Sequence, residues 1–225
     1  MKKYATLLFV FIMTGFFSSC SIFKKSNAPN EIDVNNLHPI LQLSESEASK
    51  VYSQQLDSAM NHPKKADYEA LRLGFTRTSD YQPYSDNEHL SKIKSLLDDE
   101  EYTVASEVVK TVYHKLFHVP IFHFYAYVAW KETGNSKMAK MHSLYYNQLI
   151  KSILQSGDGT SAASAYIIIN VSEEYRVIEY LNMEMQSQKL ITKNGHYYDL
   201  LDAIDSTGNK SSVYFNIDIP FSELQ

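Results

Sequence analysis

Hydrophobic positions along this chain change their period three times. From Ala5 to Phe17 they form an unbroken uncharged run of 13 residues behind Lys2 and Lys3. That run is too short to cross a bilayer core as a helix, which needs roughly 20 residues. A short positive region followed by such a run is the pattern of a secretory signal. Residues 20–43 then lose any period and read as a tether, with stretches such as Lys24-Lys25-Ser26-Asn27-Ala28-Pro29-Asn30. Fully extended, those residues reach about 80 Å at roughly 3.3 Å each. Within them Leu37, Pro39, Ile40 and Leu41 are apolar enough to dock on a folded domain.

From Ser44 to about Leu154 the apolar residues recur at three and four, the helical period. Ser44 is a good N-cap and Glu47 completes a capping box, with Ala48, Tyr52, Leu56 and Ala59 on one face and Pro63 ending the helix. A second helix is predicted from about Lys65 to Phe75 and a third from about Asn87 to Leu97. Between them lies a polar loop, Thr78-Ser79-Asp80-Tyr81-Gln82-Pro83-Tyr84-Ser85. Val104, Val108, Val112 and Leu116 step by four and predict a fourth helix with a single apolar stripe. Pro120 suits the first turn of a fifth helix, which Gly134-Asn135 stops. A sixth, from Ser136 to about Leu154, is expected to bury Met138, Met141, Tyr145, Leu149 and Ile153.

Beyond Ser156 the period shortens toward two. Ala165 to Val171 is rich in β-branched residues and predicts a strand. Ser172 is expected to cap a short helix with Glu173 and Glu174 in its first turn, where they complement the helix dipole. Strands are predicted over about Met185–Thr192, His196–Ile204 and Ser212–Ile219, with Asn194-Gly195 as a strong hairpin signal. The predicted fold is therefore α+β: helical hairpins over 44–155, then a small β-α-β-β-β mixed sheet over 156–225 that packs on them.

The middle helices carry a repeat signal. Ala105 and Ala139 lie 34 residues apart, the tetratricopeptide period. Tyr102, Trp130 and Gly134 fall where that repeat has its aromatic, turn and close-packing positions, so the region resembles tetratricopeptide hairpins. Two departures stand against it: Glu100 occupies the position of Gly134, and Pro120 lies three residues late.

Cys20 is the only cysteine, which excludes any internal disulfide. Phe17-Ser18-Ser19-Cys20 resembles a lipobox, with Phe17 where Leu is usual. That resemblance implies cleavage before Cys20 and a lipid on its thiol, holding a bacterial lipoprotein at the membrane. Two or more acyl chains anchor stably, whereas one does so only marginally. Ser21, Ile22 and Phe23 follow without an acid, which by similarity to other lipoproteins points to the periplasmic leaflet of the outer membrane. Loss of residues 1–19 leaves 206 residues with 19 basic and 26 acidic side chains, a formal charge of −7. Nucleic acid is thereby excluded as a partner, since its binding needs clustered Lys and Arg. No cofactor motif is present. The partners expected are the membrane, through Cys20, and a protein of the envelope.

Candidate chemistry is sparse. His114 and His118 share a helix face, and His123 follows after Pro120, with His142 able to approach across a hairpin; His114, His118 and His123 are the candidate metal ligands, although histidines at helix interfaces fit the same pattern. Ser156-Gly157-Asp158-Gly159-Thr160 makes Asp158 a candidate ligand-binding residue, but Gly and Asp are also what a turn needs. Among 17 tyrosines, Tyr81 and Tyr84, and further along Tyr197 and Tyr198, are candidate stacking platforms. Rings packed in a core would use tyrosine equally well. Asp98-Asp99-Glu100-Glu101 reads as a solvated turn between helices. Alternation in the third strand puts Tyr198, Leu200 and Asp202 on one face and Tyr197, Asp199 and Leu201 on the other.

Asp67-Tyr68-Glu69-Ala70-Leu71-Arg72, Tyr81-Gln82-Pro83-Tyr84, Ser156-Gly157-Asp158-Gly159-Thr160, Glu173-Glu174-Tyr175, Tyr198-Asp199 and Tyr214-Phe215-Asn216 occur in that order. With them the chain resembles an uncharacterised lipoprotein family, domain of unknown function 4919, from about Lys65 to Phe221. The resemblance implies no activity. Three functions fit the sequence: a non-catalytic scaffold that binds a protein through its hairpins, a small-ligand or glycan binder using surface tyrosines, and a hydrolase with a site near Asp158 or the three histidines.

Overall fold

The computed structural model describes residues 39–85 and 87–224. The expected signal sequence, Cys20, Leu37 and the expected tether as far as residue 38 lie outside the described residues. Helix α1 (Glu45–Asn61) starts at the expected capping box: Ser44 Oγ accepts from the Glu47 amide, and the Glu47 carboxylate accepts from the Ser44 amide at 3.1 Å. Helix α2 (Tyr68–Phe75) starts three residues later than its pattern predicts, because Asp67 caps the Ala70 amide at 2.9 Å. Asn87 caps α3 (Glu88–Asp98), and Asn135 caps α6 (Ser136–Leu154). Between them run α4 (Tyr102–Val112) and α5 (Pro120–Glu132), the latter opened by Pro120.

The apolar stripe of α4 is displaced from the predicted one. Ala105, Val109 and Val112 face the core, while Val104 is 46% exposed. That face packs with Ile93, Leu116, Phe122, Ala126, Trp130 and Ala139. On α6, Ala139 and His142 are buried in place of Met138 and Met141. Gly134 has φ +78°, and a Cβ there would meet open space. Its role is to end α5 in the left-handed conformation, not to let two helices approach.

The aperiodic segment expected over 20–43 is ordered from residue 39 onward. Pro39–Gln42 form a 3-10 helix whose Ile40 is buried with Ala48, Leu73, Tyr81, Ile167 and Ile169. Gly74 is required beneath it, since a Cβ there would lie 2.7 Å from Ile40 Cδ1. The expected docking of this segment is therefore realised, and the folded unit begins by residue 39.

The sheet has the order β1-β4-β3-β2, with β1 (Tyr166–Ile167) parallel to β4 (Lys210–Asn216) and the other pairs antiparallel. Strands β2 (Met183–Lys193) and β3 (His196–Asp205) are joined at Asn194-Gly195, both with positive φ, as the turn requires. Helix α7 (Ser172–Tyr180) and α6 cover one face, burying Ile150, Ile153, Val177 and Ile178 against Leu201, Val213 and Phe215.

Two strands are shorter than expected. The run from Ala165 to Ile169 is buried throughout, but only Tyr166 and Ile167 pair with a strand. Side chains take the backbone groups beyond: Arg72 donates to the Ile167 carbonyl, Tyr81 donates to the Ile169 carbonyl, and Glu173 accepts from the Ile169 amide. Strand β4 stops at Asn216, where the Asn216 and Asp218 side chains turn the chain into a short helix, α8 (Asp218–Ser222). Ser172 is the first residue of α7 and not its cap; Asn170 Oδ1 accepts from the Ser172 amide at 2.8 Å.

Candidate functional site

An apolar helix face with one arginine in it organises the candidate site. Ala70, Leu71, Leu73 and Gly74 on α2 are buried, and so is Arg72 among them, at 1% exposure. Its guanidinium meets Glu173 as a fork: Nε donates to Oε1 at 2.9 Å and Nη2 to Oε2 at 2.6 Å. Nη2 also donates to the Ile167 carbonyl at 3.1 Å, and Glu173 Oε2 accepts from the Ile169 amide at 2.9 Å. Both charges are thus matched and hydrogen-bonded, the condition under which a buried ion pair is tolerated. The pair ties α2 to α7.

The loop after α2 is stapled to the same place. Tyr81 packs edge-on against Phe75 and donates to the Ile169 carbonyl at 2.7 Å. Asn170 Nδ2 donates to the Pro83 carbonyl at 2.6 Å. Tyr84, next in the chain, is left 45% exposed.

Between this loop, α1, the start of α3 and the α4–α5 connection lies a cleft of about 1280 Å³. Its floor is the Phe75–His118 stack, with ring centroids 3.5 Å apart, and Tyr52 Oη lies 3.4 Å from His118 Nδ1. Burial, aided by the Arg72 charge, holds the His118 imidazole down at about 3, so it is neutral. Burial and the nearby Asp80 push the Tyr52 phenol up to about 12.

Behind the cleft, Glu174 and Asp199 make a second buried cluster. Gln188 Nε2 donates to Asp199 Oδ2 at 2.7 Å and Glu174 Oε2 at 3.3 Å, and Tyr175 Oη donates to Gln188 Oε1 at 2.9 Å. Burial, the Asp199 charge and a hydrogen bond to Asp199 push the Glu174 carboxyl up to about 9. Glu174 is therefore a neutral acid at pH 7.

The three candidate histidines are not brought together. His114 is exposed, His118 lies on the cleft floor and His123 is buried in the helical core. His123 pairs instead with His142, which approaches across the α5–α6 hairpin with Nδ1 to Nδ1 at 3.0 Å. Among the described residues, no group of three or more His, Cys, Asp or Glu is arranged to hold a metal ion. Asp158 sits in a turn in which its Oδ1 accepts from the Thr160 amide, the Thr160 hydroxyl and the Ser164 hydroxyl. Its slight burial would raise its pKa, but these hydrogen bonds outweigh that and lower it. A Cβ on Gly157 would lie 2.2 Å from the Ser164 carbonyl oxygen, and one on Gly159 2.4 Å from the Tyr166 ring. That motif is a structural knot. No hydrogen bond joins any two of His114, His118, His123 and Asp158, so the geometry a hydrolase would need there is not formed.

Of the four candidate tyrosines only Tyr84 is open. Tyr81 is committed to Ile169, Tyr197 stacks on Phe221 with centroids 4.0 Å apart, and Tyr198 is buried with Ala162 and Ala165. Arg72, Asn170, Glu173 and Glu174 carry the site without being singled out as candidates. The usable signal was Arg72, a charged residue inside an otherwise apolar face.

An α+β domain with a wide cleft, floored by the Phe75–His118 stack and edged by a glutamate that a buried arginine neutralises, is the class this fold and site define. Residues 41–224 match the model of a family described as a domain of unknown function, DUF4919, and the chain belongs to that family. No curated protein and no solved structure matches it. No helix among the described residues is long and apolar enough to cross a membrane.

Proposed function

We propose that this chain is a lipid-anchored binding module of the bacterial cell envelope and that the cleft beside Tyr84 holds its ligand. The observation that carries the reading is the cleft itself. At about 1280 Å³ it exceeds the roughly 300–1,000 Å³ usual for small-molecule sites. Its loop wall is held rigid by Tyr81 and Asn170, and a preformed wall lowers the ordering cost of binding. Lipid on Cys20 and a tether would place the cleft at the outer membrane, facing the periplasm.

A photo-crosslinking side chain at position 82, in cells, tests the cleft. An adduct is expected there, absent from the same probe at Leu190 on β2 and lost when Ser53→Trp fills the cleft. Equal adducts at 82 and 190, or none, would remove the reading. The anchor is tested by Cys20→Ser, which should shift the protein from the membrane to the soluble fraction and abolish incorporation of a labelled fatty acid. Retention in the membrane with no change in labelling would rule the anchor out.

One observation favours a second reading, the scaffold. Glu100 and Gly134 stand 34 residues apart and both take positive φ, 62° and 78°, at the turns of successive hairpins. Ala105 and Ala139 are both buried, as tetratricopeptide-like packing requires. A protein adduct from the exposed Val104, and none from position 82, would favour it.

A further inference from the structure

We infer that the ligand of this cleft is a neutral oligosaccharide; the inference rests on the proposal that the cleft binds a ligand. Three features of the lining lead there.

The first is charge. The cleft has one lysine, Lys115, and no arginine along its walls, against Asp80, Glu88 and Glu173. Glu173 is already neutralised by Arg72. Polyanions are recognised by clustered arginine and lysine, often as bidentate forks, and this cleft offers none.

The second is the state of the backbone. One common way for an extended peptide to bind is by adding a strand to open backbone groups. Ile169 is the lining residue that continues the run of β1, and both its groups are taken: the carbonyl by Tyr81 and the amide by Glu173. The wall therefore has no open ladder there, and recognition falls to side chains.

The third is what those side chains are. Hydroxyl and amide groups recur on every wall, and among them the Ser79 and Gln82 side chains make no hydrogen bond within the described residues. The exposed carboxylate of Asp80 accepts only, and its two oxygens match two neighbouring hydroxyls of a sugar. Tyr84, 45% exposed at the rim, and the half-buried Tyr52 on the α1 wall, whose ring packs on Phe75 and His118, give the cleft aromatic surface that suits the apolar face of a pyranose. Flat apolar rings beside uncommitted hydrogen-bonding groups complement a ligand that is itself apolar on its faces and hydroxylated at its edges. The space accommodates several sugar rings.

Isothermal titration of the full chain carrying Cys20→Ser tests this. The probes are chitohexaose, cellohexaose, xylohexaose, mannohexaose and maltohexaose, with neutral hexapeptides in parallel. At least one hexasaccharide is expected to bind saturably. Tyr84→Ala and Asp80→Asn should each weaken that binding by about tenfold. Both positions are exposed, so thermal melts of the two variants should match the wild type. Binding of no hexasaccharide, or binding unchanged in both variants, would overturn the assignment. Peptide binding lost in Ser53→Trp, with no sugar bound, would overturn it while leaving the cleft as the ligand site. An adduct-free cleft in cells would remove both.

Discussion

Glu174 shows how far burial reshapes one side chain. Its sequence position, in the first turn of α7, reads as a charge favourable to the helix dipole, but at 0% exposure beside Asp199 it is held protonated. A carboxyl whose pKa is raised on folding stabilises fully below its unfolded value, and that contribution is lost as pH rises toward the folded value. The window here runs from the ordinary carboxylate value near 4.5 up to about 9. At neutral pH the wild type therefore carries a protonation cost on the order of 3 kcal/mol. Glu174→Gln removes the titration and keeps a donor for Asp199. We expect its thermal midpoint to exceed that of the wild type at pH 8 and to converge with it near pH 5. A midpoint below the wild type at both pH values would contradict a Glu174 held protonated by burial. Glu173, its neighbour in the chain, meets instead the Arg72 guanidinium through two hydrogen bonds.

At the scale of elements, the α5–α6 hairpin is closed by a histidine pair. His123 Nε2–H donates to the Phe117 carbonyl at 2.7 Å, which leaves its Nδ1 to accept from His142 Nδ1–H. One proton thus serves both rings, and the Tyr113 and Tyr145 rings pack around His142. Burial lowers both imidazoles, His142 to about 4, and the neighbouring His142 lowers His123 further. With folded values below the unfolded value, the unfolded chain binds more protons as pH falls through 6.5, so stability declines from there toward pH 4. His142→Asn retains a donor near Nδ1 and cannot titrate. Chemical denaturation should show a shallower loss between pH 6.5 and 4.5 in this variant, by on the order of 2 kcal/mol. An unchanged slope would show that the pair does not govern acid stability. The scaffold reading rests on this hairpin and the preceding α3–α4 hairpin together, through the left-handed turns at Gly134 and Glu100.

For the whole molecule, the docked segment around Ile40 joins the N-terminal entry to the sheet. Ile40 packs on Leu73, Tyr81, Ile167 and Ile169, of which Tyr81 and Ile169 also line the cleft. Ile40→Ala should cost about 2–4 kcal/mol, as for other fully buried isoleucines. A denaturation midpoint within about 0.5 kcal/mol of the wild type would place the segment outside the cooperative unit.

Local sequence determined the elements. The capping box at Ser44, Pro120 at the start of α5, Gly134 after it and Asn194-Gly195 between β2 and β3 each act through a few neighbouring residues, and each was legible. The α+β class and the docking of the sheet on the helices followed from the change of period. What tertiary structure decided were the groups whose partners lie far along the chain. Ala165 to Val171 reads as a strand of seven residues, but Arg72, Tyr81 and Glu173 take its backbone groups, and β1 keeps two residues. Histidine spacing pointed to His114, His118 and His123, whereas folding paired His123 with His142 and put His118 under the cleft. The cleft itself is walled by α1, the Tyr81–Tyr84 loop and the segment before α7. A periodic pattern reports which face of one element is buried; it carries no record of which distant side chain will meet that face, because that choice is made by packing between elements.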